Sequence, residues 1–313
     1  MFIDTLIEKI KEKNNPTVVG LDPKIDFVPA FIREEMYEKY GANLKGAAEA
    51  LLKFNKILID SIYDIVPAVK PQLAYYEMYG VEGVRVFYET CKYAKEKGLL
   101  CIADGKRNDI GTTAEAYSSA FLGKTKIDEN CIESAFDVDA LTVNPYLGID
   151  GIKPFVNDCA NFGKGIFVLV KTSNKSSGQI QDILTQEGKS MYEKVAEYVN
   201  DWGANVVGKY GYSNVGAVVG ATYPNQAKIL RKILRNSYIL VPGYGAQGGT
   251  ARDVAHSFNK DGLGAIVNAS RSIMCAYKDE KWSGIYTEDK FNEASRAEAL
   301  RMKEDINQVI GAL

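Results

Sequence analysis

Eight times along this chain a short apolar, β-branched run stops at polar or glycine residues and gives way to helical spacing. The runs are TVVGLD (17–22), IVPAVK (65–70), LLCIADGK (99–106), ALTVNPY (140–146), GIFVLVKTS (165–173), VGAVVGAT (215–222), YILVPGYG (238–245) and GAIVNAS (264–270). Strands that read as continuous apolar runs are buried on both faces, which happens when helices cover a parallel sheet. Eight such units in 313 residues predict an α/β fold, a (β/α)₈ barrel with eight parallel strands. A doubly wound open sheet is the structural alternative. The chain reads as a single barrel domain over 1–313. Its first connection, 23–50, is enlarged, as is 174–190 (NKSSGQIQDILTQEGKS), and in VKTSNKSSGQ (170–179) a polar strand end runs into a mobile-looking loop. Residues 286–311 carry the pattern of a closing amphipathic helix.

Composition excludes several classes. The chain is 46% hydrophobic and 25% charged with a net charge of −2, which argues against a nucleic-acid footprint. No stretch of about 18 apolar residues suggests a membrane span. The N-terminus, MFIDTLIEKIKEKNN, lacks the pattern of a signal peptide. Five cysteines with no CxxC pair read as free thiols of a reducing, cytoplasmic compartment. The one histidine, His256, excludes a His-rich metal site and reads as an ordinary helix residue.

Polar residues gather at the ends of the runs: Asp22, Lys70, Asp104, Lys106, Asn144, Ser173, Gln247 and Arg271. In a parallel barrel these ends share one face, where active sites sit. Asp104 and Lys106 are two apart, so on a strand they point the same way. A strand–turn–helix junction with an ion pair, capped by Thr112 and Glu115 at capping-box spacing, would account for part of this stretch. It leaves unexplained why both charges should face a barrel mouth. A lysine among carboxylates keeps its proton and becomes a positioned proton donor, while the carboxylate beside it can repel an anionic substrate group.

VPGYGAQGG (241–249) and NASRSI (268–273) follow the seventh and eighth runs. Glycines let backbone N–H groups approach an anion. Gln247 adds side-chain donors, and Ser270 and Arg271 would open a helix where phosphate binds. The loops after strands seven and eight are a recurring phosphate site in barrels. A flexible turn is the plainer reading of either stretch alone.

With those residues in place, the sequence resembles the orotidine 5′-phosphate decarboxylase family, in its longer bacterial branch. ADGKRNDIGTTA matches the signature D-x-K-x-x-D-I-x-x-T at Asp104, Lys106, Asp109, Ile110 and Thr113. GLDP (20–23), VKPQLAYYE (69–77), KTSN (171–174), PGYGAQGG (242–249) and ASRSI (269–273) fall in the family's order. Where that branch often reads TSNPG, this chain reads TSNKSSG, keeping Ser173.

The resemblance implies loss of CO₂ from orotidine 5′-monophosphate (OMP) to give uridine 5′-monophosphate (UMP), in pyrimidine biosynthesis, without metal or organic cofactor. It assigns Lys106 to protonate C6, Asp104 to lie against the substrate carboxylate, Lys70 to hold Asp104 and the ribose, and Asp22 to bind ribose. Ser173 would bind the pyrimidine. Gln247, Ser270 and Arg271 would hold the phosphate, with Pro242 lining the loop. Asp109 and Thr113 would reach into the site of a partner subunit in a homodimer. The nearest rival is a Mg²⁺-dependent sugar-phosphate decarboxylase or aldol-type synthase, in which Glu77, Asp22 and Asp104 could hold a cation. A non-catalytic nucleotide-binding protein is the third reading; it would need the phosphate loop but not Asp104 and Lys106 together.

Overall fold

The computed structural model describes residues 1–311. Eight strands, β1 (Thr17–Leu21), β2 (Ala68–Pro71), β3 (Leu100–Arg107), β4 (Ala140–Val143), β5 (Gly165–Lys171), β6 (Ser213–Val219), β7 (Ser237–Pro242) and β8 (Ala265–Ala269), pair in chain order. Every neighbouring pair is parallel, and β8 closes onto β1 through Thr17↔Val267. The barrel expected from the eight apolar runs is therefore present, and the open sheet is not.

Side-chain alternation divides the core in two. Val18, Ala68, Leu100, Ile102, Ala140, Phe167, Tyr238, Leu240 and Ile266 fill the barrel interior. Val19, Val69, Cys101, Leu141, Val168, Val215, Ile239 and Val267 pack outward against the helices. That inside-out use of both strand faces is why the runs carry almost no polar residues. Helix α1 (Phe2–Lys13) precedes the barrel, and its Phe2, Ile3, Leu6, Ile7 and Ile10 join the interior cluster. Ile3 N–H donates to Asn214 Oδ1 at 3.0 Å, and Phe2 meets Phe167 edge-to-face at 6.1 Å. The helix thus stops one end of the barrel and leaves the other for chemistry.

The enlarged first connection holds a 3₁₀ turn (Ile25–Phe27) and α2 (Ala30–Tyr40) before α3 (Leu44–Ile62). Helices α4 (Gly80–Glu96), α5 (Gly111–Phe121), α6 (Ile149–Phe162), α7 (Met191–Gly203), α8 (Pro224–Ile233) and the short α9 (Ala251–Ala255) fill the later crossovers. The closing helix, α10, runs Phe291–Ile310.

Two local expectations change, and one element is new. Thr112 and Glu115 form no capping box: Gly111, at φ +53°, already starts α5, so Thr112 lies inside the first turn and Ile110 holds the cap position without a side-chain bond. The 174–190 segment is ordered by a 3₁₀ turn (Lys175–Ser177), a short helix (Gly178–Gln181) and a bridge between Leu184 and Ser190. A two-stranded hairpin, Thr125–Lys126 with Ile132–Glu133, was not anticipated. His256 sits, exposed, at the end of α9.

Candidate active site

A cavity of about 620 Å³ opens among the carboxyl ends of the strands, a volume that suits a nucleotide-sized ligand. Its walls include Asp22, Lys70, Asp104, Lys106, Ser173, Pro242, Gln247, Ser270 and Arg271. Leu169, Val218 and Leu240 supply apolar wall. Nine of the residues singled out from the sequence thus converge on one space. Asn144, Asp109, Thr113 and Glu77 do not line it. Asn144 accepts from Tyr146 N–H instead. Glu77 pairs with Arg107, so the carboxylates the metal-dependent rival would use are not assembled together. Asp109 is half-buried on the segment leading into α5, and Thr113 is exposed in the helix's first turn.

The charged core of the cavity is built on β2 and β3. Leu100 and Ile102 face the barrel interior, and Asp104 and Lys106 continue that alternation at the strand's end. The pairing with β4 slips between Ala103 and Arg107, and Lys106 takes a left-handed backbone at φ +48°. Lys106 Nζ stands 2.6 Å from Asp104 Oδ1. Lys70 Nζ stands 2.7 Å from Asp104 Oδ2 and 3.9 Å from Asp22 Oδ1.

Lys70 is 3% exposed and Asp104 8%. Burial alone would push the Asp104 carboxyl up, but the ammoniums of Lys70 and Lys106 outweigh it and hold the group well below the usual carboxylate range. Burial likewise opposes charge on Lys70, and Asp104 and Asp22 overcome it, raising its pKa. Asp104 and Lys70 are therefore both ionised at neutral pH, each charge supporting the other. Asp22 Oδ1 is buried without a hydrogen-bond partner, an acceptor free for a ligand hydroxyl.

Sequence reasoning passed over Thr142. This buried β4 hydroxyl donates to Asp104 Oδ1 at 2.9 Å and accepts Lys106 N–H at 3.0 Å. It fixes both the carboxylate and the strained backbone of the lysine. In ALTVNPY it looks like one more β-branched strand residue. Asn268, also buried at the cavity wall, donates to Ser270 Oγ at 3.3 Å. Gly20 of GLDP allows this approach: a Cβ there would lie 1.9 Å from Ser270 Oγ.

Beside them, after the paired strand β7, the 243–249 loop folds back on itself through Gly249 N–H to Gly243 O at 3.1 Å and Gly245 N–H to Gly249 O at 2.9 Å. Gly243, Gly245 and Gly248 all have positive φ, which other residues would resist. Ser173 is carried by the end of β5, where fully buried Lys171 pairs with Asp182 at 2.6 Å and lies over the Tyr223 ring at 4.5 Å. Thr172 N–H donates to Gln181 Oε1 at 3.0 Å. These bonds tie the 174–190 segment to the barrel beside Ser173.

A closed parallel barrel with a charged cavity at the carboxyl ends of its strands defines a (β/α)₈-barrel enzyme. The family model of orotidine 5′-phosphate decarboxylase / HUMPS matches residues 35–282, and the chain belongs to that family. It is 46% identical over 309 residues to the orotidine 5′-phosphate decarboxylase of Caldicellulosiruptor saccharolyticus, covering 99% of each chain. It is 40% identical over 310 residues to that of Clostridium perfringens strain SM101, again covering 99% of each. The solved structure of Leishmania donovani OMP decarboxylase superposes with a TM-score of 0.74 at 27% identity, covering 100% of this chain and 99% of that one. Among the described residues no helix is long and apolar enough to cross a membrane.

Proposed function

We propose that this chain decarboxylates OMP to UMP, and that the Lys70–Asp104–Lys106 array is the centre of the reaction. The observation that carries the reading is a buried carboxylate held between two ammoniums at 2.7 and 2.6 Å inside a cavity that also gathers Ser173, Gln247 and Arg271. The substrate carboxylate lies against Asp104. As the C6–carboxyl bond breaks, CO₂ leaves neutral and the electron pair stays on C6. The Lys106 ammonium delivers its proton to that carbon, and solvent reprotonates the amine. A vinyl carbanion at C6 has no π-conjugated sink, so catalysis must lie near the upper end of the roughly 8–23 kcal/mol enzymes typically supply. Preorganised charge is the largest single source of such stabilisation. Asp104 also repels the ionised substrate and stops doing so once CO₂ has gone.

Asp22 takes a ribose hydroxyl with its free Oδ1, Lys70 supports the ribose, and Ser173 holds the pyrimidine. Gln247, Ser270 and Arg271 bind the phosphate, beside Pro242. Phosphate binding far from C6 supplies energy for ordering the reacting groups. The working unit is a cytoplasmic homodimer in which Asp109 and Thr113 complete the partner's site. Exposed Ile110, Tyr146, Leu147 and Ile149, on the segments entering the adjacent α5 and α6, favour a second copy as the cover for this face.

The test is ultraviolet absorbance of OMP mixed with the purified protein in excess EDTA, beside Lys106→Ala. Conversion to UMP that disappears in the variant supports the reading. No conversion in EDTA, or none at all, would favour the Mg²⁺-dependent sugar-phosphate rival, and tight UMP binding without turnover the binding protein.

A further inference from the structure

The closing helix has no part in the chemistry above, yet three of its polar side chains reach toward the phosphate-binding segments. Tyr244, inside the 243–249 loop and 5% exposed, points its hydroxyl away from the loop's own turn and donates to Asp305 of α10. Arg301, one turn earlier, donates to the same hydroxyl at 3.4 Å. Arg301 is itself gripped by buried Glu298 through two bonds of 2.8 and 2.7 Å. Glu298 also accepts from Trp282 Nε1 at 2.9 Å. Residues 298, 301 and 305 share one helix face. From the same helix, fully buried Ser295 donates at 2.8 Å to the carbonyl of Ile273, in the helical turn Arg271–Met274 that carries Arg271. One helix therefore holds both segments to which the phosphate is assigned.

The loop needs such a hold. Behind it lies a second cavity of about 630 Å³, bounded by Gly245, Ala246, Arg271, Ser272, Glu298 and Arg301. Ala246 and Arg271 border the substrate cavity as well. The loop is thus a wall between two open spaces, with little packing on its far side to fix its position. Burial and Asp305 push the Tyr244 phenol up to about 12, so it remains a donor throughout the physiological range.

We infer that Tyr244 and Asp305 are positioning residues for the substrate phosphate: α10 sets where the 243–249 loop stands, and so how well Gln247 and the loop amides reach the phosphate. The inference rests on the assignment of that loop to phosphate. The experiment compares Tyr244→Phe and Asp305→Asn with wild type, using KM and kcat for OMP and the constant for inorganic phosphate as a competitive inhibitor. KM and the phosphate constant should both rise about tenfold, on the scale of one lost hydrogen bond to a charged group, with kcat at saturation nearly retained. A fall in kcat with KM and phosphate inhibition unchanged would mean a purely structural role and overturn the inference, as would no change at all. Tyr244→Phe removes a single oxygen and decides the matter should Asp305→Asn fail to fold. If the wild type does not turn over OMP, calorimetric phosphate binding in the same proteins still tests the brace while the proposed function fails.

Discussion

Lys70, a residue 3% exposed, sets its ammonium 2.7 Å from one oxygen of Asp104, and the other oxygen takes Lys106 at 2.6 Å. The two lysines are not equivalent, because the Lys106 side chain is 46% exposed and that of Lys70 only 4%. Asp104→Ala leaves Lys70 with Asp22 alone, at 3.9 Å, and breaking a buried pair this way costs about 3–5 kcal/mol. Lys106→Ala should change stability by under about 1 kcal/mol while lowering turnover by at least about 10²–10⁴-fold, the scale of a lost general acid. Urea unfolding and OMP turnover on both variants measure the split. Equal stability losses would contradict the burial difference.

The same array predicts an acid limb of stability. The folded pKa of Asp104 is depressed, burial being outweighed by Lys70 and Lys106. Its contribution is therefore full above the unfolded value of about 3.9 and fades as pH falls toward the folded value. Lys70 has the opposite sign: its folded pKa is raised, so its contribution is full below about 10.4 and fades only above that. Wild-type stability minus that of Asp104→Asn should be constant from about pH 5 to 6 and shrink below about pH 4. A difference that grows on acidification would reverse the assigned sign.

Thr142 gives a prediction that separates position from charge. Thr142→Val keeps shape and removes the hydroxyl that bonds Asp104 Oδ1 and Lys106 N–H. The Lys106 N–H is left without its partner, costing about 1–3 kcal/mol. Turnover should fall by about tenfold or more as the lysine's left-handed backbone relaxes, with UMP affinity nearly unchanged. Unaltered kcat would show that Lys70 and Lys106 hold Asp104 without help.

How much of this was readable beforehand follows from where each determinant lies along the chain. The barrel was legible because every strand is packed on both faces, so each announces itself as an apolar run. The end of the barrel that opens into the cavity was legible because Asp104 and Lys106, which line it, are the polar tail of such a run. Thr142 was hidden because a threonine in ALTV suits a strand whether or not its hydroxyl has work to do. The Tyr244–Asp305 bond spans 61 residues and leaves no local pattern. The Thr112–Glu115 spacing misled because Gly111 starts the helix earlier. The hairpin at 125–133 has strands of only two residues each, too short for any periodicity.

Asp109 and Thr113 lie outside their own chain's cavity, so the homodimer reading makes a quantitative claim. Lys106→Ala and Asp109→Ala chains should each be nearly inactive alone. In a mixed dimer the two defects fall in one site and leave the other intact. After unfolding and refolding together in equal amounts, half of the dimers are mixed, each with one good site of two. Activity should return to about a quarter of the wild-type level if subunits pair at random in a twofold dimer. Sedimentation at working concentration checks that dimers form. Recovery of nothing from a dimeric mixture would place Asp109 in its own chain's site, and a monomer with full activity would remove the shared site altogether.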